Sequence, residues 1–79
     1  MERKIKLIWD MHGPDAEKTA EHHAIHLGEY AEKQSINHFG FGTTIENDLH
    51  AIAFLVVEEA NMILVRDALK PHRAELYED

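Results

Sequence analysis

The stretch His50-Ala51-Ile52-Ala53-Phe54-Leu55-Val56-Val57 decides how this chain is read. Side chains of an extended segment alternate between two faces, so His50, Ile52, Phe54 and Val56 share one side and Ala51, Ala53, Leu55 and Val57 the other. Both sides are apolar, as expected of a strand in the middle of a sheet with both faces covered. The alanine-bearing side admits closely packed helices. The side carrying Ile52, Phe54 and Val56 calls for another cover.

Working outward, Glu58-Glu59-Ala60 leads into a short helix from about Asn61 to Lys70, which Pro71 ends, and Arg73 to Glu78 reads as a last short strand. Upstream, Glu46-Asn47-Asp48 is a polar turn. Phe39 to Glu46 reads as a strand in which Gly40 and Gly42 predict a bulge or a close backbone contact. Residues 16–34 lack proline, and Ala16, Ala20, His23, Ala24, Leu27, Tyr30 and Ala31 recur at three- and four-residue spacing, the mark of an amphipathic helix. At about 1.5 Å per residue that helix runs about 28 Å, matching an eight-residue strand it can lie along. His12-Gly13-Pro14-Asp15 supplies the preceding turn, with Asp15 placed to cap the helix. Before it, Ile5, Leu7, Trp9 and Met11 alternate with Lys4, Lys6, Ile8 and Asp10, a first strand with Trp9 and Met11 on its helix-facing side. The order β-α-β-β-α-β is the split βαβ arrangement of α+β ferredoxin-like folds: a four-stranded antiparallel sheet with two helices on one face, filling residues 1–79 as one domain.

Composition narrows the function. Fifteen Asp and Glu against eight Lys and Arg give a formal charge of −7, which repels nucleic-acid phosphates and anionic lipid alike. No apolar run is long enough to span a bilayer and no signal-peptide core follows the first residues, so a cytoplasmic protein is expected. A domain this small buries only roughly 60–65% of its unfolded surface and benefits from added support. Cysteine is absent, leaving a partner subunit or a bound ion. The only serine, Ser35, has no nucleophile elbow around it, and Phe39-Gly40-Phe41-Gly42 lacks the phosphate-cradling glycine patterns.

Burying Ile52, Phe54 and Val56 is worth about 1.5–3 kcal/mol each, an incentive to pair with a second copy. With that strand, the element order, His26-Leu27 on the first helix and Glu58-Glu59-Ala60 at the second, the chain resembles the dimeric α+β barrel proteins, in particular the small YCII-like and muconolactone isomerase-like families. The resemblance spans nearly the whole chain. It implies a homodimer with sheets packed face to face and a small-molecule cavity between sheet and helices. In YCII-like proteins it further implies a helix histidine paired with a downstream aspartate as an acid–base dyad. His26 matches that histidine; about a dozen residues on, where the aspartate falls, this chain has Asn37 and His38.

Seven histidines offer further chemistry. The split βαβ topology collects His12, Asp15, Glu46, Asp48, His50, His72 and Arg73 at one end of the sheet. Asp10 and His12 share the face of Ile8, near His50, where a carboxylate and an imidazole can exchange protons with a substrate. His22 and His26, four residues apart, occupy one helix face and make a bidentate metal half-site, without the glutamate of a zinc protease motif. Glu46 would complete two histidines and a carboxylate, the facial set of a non-haem iron site, or a zinc site. Sulfur oxygenase reductases are similar in carrying a His-x3-His helix pair and a later strand carboxylate. The same pair also reads as a solvated face shared with Glu29 and Lys33, and His23 as a core-edge histidine bonded to a carbonyl or to Tyr30.

Two functions follow as expectations. One is a homodimeric barrel binding a small organic molecule against His50, Ile52 and Phe54, with acid–base chemistry by His26 or by Asp10 and His12. The other is a transition-metal protein, iron or zinc, held by His22, His26 and Glu46.

Overall fold

A computed structural model describes residues 3–77. Strand β1 (Lys4–His12) leads to helix α1 (Ala16–Lys33), hairpin strands β2 (His38–Asn47) and β3 (His50–Glu58), helix α2 (Glu59–Leu69) and strand β4 (Arg73–Tyr77). The four strands form one antiparallel sheet in the order β2-β3-β1-β4, the ferredoxin-like α+β arrangement. As the alternation predicts, β3 lies inside the sheet, paired on both sides.

On the helix-facing side, Leu7, Trp9, Ala51, Ala53, Leu55 and Val57 pack with Ala20, Ala24, Leu27 and Ala31 of α1. The small side chains of Ala20, Ala24 and Ala31 let the α1 backbone approach the sheet. Gly28 extends this closeness toward the edge: a Cβ there would lie 2.6 Å from the Phe41 ring. Helix α2 is held more lightly, with Val65 its one fully buried residue and the Trp9 indole N–H donating to the Leu69 carbonyl at 2.9 Å. Lys70, in the left-handed conformation at φ 48°, closes α2 before Pro71.

Two local expectations change and a third holds. Helix α2 begins at Glu59 rather than Asn61, because the Glu59 N–H donates to the Arg3 carbonyl at 2.8 Å and starts the helix as the strand ends. Asp15 occupies the N-cap position of α1 without a side-chain cap; the first turn is joined instead by main-chain bonds from Ala16 to Gly13 and from Thr19 to Asp15. The bulge expected in β2 from its glycines is present, between His38 and Gly40, where Gly40 takes φ +137°, a conformation that suits glycine.

The larger correction concerns the face without helices. It bears Lys4, Lys6, Ile8, Asp10 and His12 from β1 against His50, Ile52, Phe54 and Val56 from β3. Ile8, Ile52 and Val56 are only 1%, 3% and 1% exposed within the single chain. Neighbouring side chains roof them. The Phe54 ring leans over Gly42, whose missing side chain leaves the room, and Lys6 Nζ sits 4.5 Å above that ring. Lys4 Nζ covers Phe39 at the same distance. Most of the cover expected from a second copy is therefore supplied by the chain itself.

Candidate functional site

The sheet register assembles a polar cluster at one end of this face. His12 stands opposite His50, and Asp10 opposite Ile52, so Asp10 is the diagonal neighbour of His50. On its other side β1 pairs with β4, Ile8 opposite Arg73, which brings Arg73 diagonally to Asp10. Three strands thus converge on one carboxylate.

Asp10 Oδ1 lies 2.7 Å from His50 Nε2. Arg73 straddles the same carboxylate, Nε donating to Oδ2 and Nη2 to Oδ1, both at 3.1 Å, while Nη1 donates to Glu75 at 3.1 Å. The two-pronged fit suits the planar guanidinium and would be lost with lysine. The Asp10 main-chain N–H donates to His72 Nδ1 at 2.7 Å, and the His72 main-chain N–H to the Ile8 carbonyl at 2.9 Å, fixing the start of β4. Hydrogen bonds from Arg73 hold the Asp10 carboxyl down to about 2, against the opposing pull of burial and with a smaller contribution from His50. The same contact raises Arg73. Asp10 is therefore a fixed anion.

An ionised carboxylate only accepts, so His50 presents Nε2–H to Asp10, and the neutral imidazole carries its lone pair on Nδ1. The His12 ring stacks on His50, centroids 4.5 Å apart and planes 15° from parallel. Asp10 and His50 side chains remain 16% and 23% exposed, accessible to a ligand approaching over the sheet. The arrangement is an imidazole base oriented by an anion that cannot take its proton near neutral pH. The face shared by Asp10, His12 and His50 was legible from strand alternation. The direct partner of Asp10 is His50 rather than His12, and the roles of Arg73 and His72 follow from a β1–β4 register that local pattern does not reveal.

His26 stands apart on the exposed face of α1. Its Nε2 is 3.0 Å from His22 Nε2 and its Nδ1 3.1 Å from Glu29 Oε1. Among the described residues no group of three His, Asp or Glu side chains is placed to share a metal ion, so Glu46 does not join this pair. His23 packs its ring against Trp9, centroids 5.3 Å apart, and its Nε2 is buried without the carbonyl or Tyr30 partner expected of it. Burial, then the neighbouring histidines, pushes His23 down from its ordinary value, which keeps it neutral. His38 Nδ1 is likewise buried and unpartnered.

Two open hollows lie elsewhere. One of about 540 Å³ sits where α1 ends and β2 begins, lined by residues including Ile36, Asn37, His38 and Glu58; another of about 440 Å³ is bordered by Met11, Lys18, Thr19, His22 and His23. Among the described residues no helix is long and apolar enough to cross a membrane. Comparison of the chain with protein-family models, curated proteins and solved structures found no significant match.

Proposed function

We propose that this chain binds a small organic molecule over the open sheet face and exchanges a proton with it through His50, with Asp10 orienting the imidazole, in a homodimer of the α+β barrel type that closes the site. The observation that carries this reading is the 2.7 Å Asp10–His50 contact beneath the Arg73 fork. An oriented, partly exposed imidazole beside a locked carboxylate is the equipment of general acid–base catalysis. His12, stacked on His50, narrows the directions from which a ligand reaches Nδ1. Phe54, partly exposed on the same strand face, makes the adjoining surface apolar, which suits an organic ligand rather than a bare ion, while Ile52 lies buried beneath its neighbours.

The test is a screen of small organic acids and carbonyl compounds by NMR, following the His50 ring signals and the Asp10 amide, with sedimentation equilibrium on the same sample. Binders should shift both probes and lose affinity in His50→Gln. Compounds that bind while leaving both probes unmoved would remove the site, and a 9.1 kDa monomer at micromolar concentration would remove the barrel.

A further inference from the structure

The His22–His26 pair lies outside the acid–base cluster. Both residues project from the exposed face of α1, and their Nε2 atoms approach one another to 3.0 Å, the two rings meeting edge to face with centroids 4.6 Å apart. Glu29, one turn beyond His26, brings Oε1 within 3.1 Å of Nδ1. A carboxylate at that distance favours the His26 tautomer with the proton on Nδ1, which leaves the lone pair on Nε2, the atom that His22 Nε2 approaches. A carboxylate behind a histidine in this manner is the outer-shell arrangement of metal-ligating imidazoles.

The donor set also ranks the metals. A site of imidazole nitrogens binds divalent first-row ions with an affinity that peaks at Cu(II), Ni(II) standing just below it, and both ions accept a tetragonal shell completed by water. We infer that His22 and His26 form a two-nitrogen site for a tetragonal divalent ion, Cu(II) before Ni(II), with Glu29 as a positioning residue and water in the remaining places. This replaces the iron or zinc set with Glu46. In the metal-free pair His22 donates Nε2–H to His26 Nε2; on binding, His22 carries its proton on Nδ1 instead, so the neutral pair releases none. The open positions border the hollow lined by Lys18, Thr19 and Met11, where an exogenous ligand has access.

Titrating the untagged full chain with Cu(II) by calorimetry should give one tight site per chain. The same titration should broaden the His22 and His26 ring signals before those of the other five histidines. His22→Ala and His26→Ala should each abolish the tight site, and Glu29→Gln should weaken it about tenfold with the circular dichroism spectrum unchanged. His22, His26 and Glu29 are all solvent-exposed, so these variants leave the core intact. Undiminished binding in the His22→Ala, His26→Ala double variant, first broadening at His12 and His50, or preference for Zn(II) over Cu(II) would each overturn the inference.

Discussion

Asp10 gathers its partners from sequence distances of 40 to 63 residues, and its ionisation is coupled to the folded state. With its carboxyl held at about 2 rather than the ordinary 3.8, Asp10 contributes stability that is complete above about pH 4 and is lost as the pH falls toward 2. Arg73 is 44% exposed, so solvent screening reduces that contribution to about 1 kcal/mol. Asp10→Asn is expected to be destabilised by about this amount at pH 7. Urea unfolding of both proteins at pH 7, 4 and 2.5 checks it: the stability difference should persist to pH 4 and narrow toward pH 2.5. A constant difference across that range would mean that packing rather than charge sets the cost. His72 offers a second residue-scale outcome. Because its Nδ1 accepts the Asp10 main-chain N–H, the neutral ring must be the Nε2–H tautomer, which ring nitrogen shifts report directly. An Nδ1–H tautomer would deny the bond.

Among the elements, α2 is the least anchored. Val65 alone is fully buried along its eleven residues, whereas α1 sets six residues, from Ala16 to Ala31, against the sheet or its edge. Val65→Ala is therefore expected to cost about 2 kcal/mol, mostly by loosening α2. Hydrogen exchange of the α2 amides should accelerate well before that of β1 and β3; uniform acceleration would show that α2 unfolds only with the whole chain. The same contrast explains which elements the sequence discloses. Strands β1 and β3 and helix α1 carry strong periodicities because each buries a continuous stripe, so their bounds are readable to within a residue or so. The start of α2 depends on the Arg3 carbonyl, and the Asp10–Arg73 contact depends on how β4 slides along β1. Neither is written in a local pattern. The shared face of Asp10, His12 and His50 was legible; the pairing within it was not. His26 matched a motif by position alone, and its contacts run to His22 and Glu29 on the helix surface.

For the molecule as a whole, the question is what a second copy would gain by covering the sheet. Alternation made Ile52, Phe54 and Val56 look like an uncovered apolar face, but alternation reports which side a residue faces and not what its neighbours' long side chains do there. With Ile8, Ile52 and Val56 already buried, pairing across this face draws on the Phe39 and Phe54 rings and on the lysines above them. Other exposed apolar residues lie off that face: Phe41 and Ile45 on the β2 edge, Leu49 in the hairpin turn and Ile25 on α1. Edge strands with such surface are themselves pairing sites, so the two routes to a dimer make opposite predictions. In the barrel, Lys6→Glu is decisive: Lys6 stands beside Glu75 near the middle of the face, and a carboxylate there sets two more negative charges against each other across the apposed sheets of chains that already carry −7 each. Sedimentation equilibrium should then shift from dimer toward the 9.1 kDa monomer, with circular dichroism confirming that the chain still folds, while Ile45→Lys leaves the dimer intact. If Ile45→Lys dissociates the dimer and Lys6→Glu does not, the copies join through β2, the sheet face stays open to solvent, and His50 works without a lid.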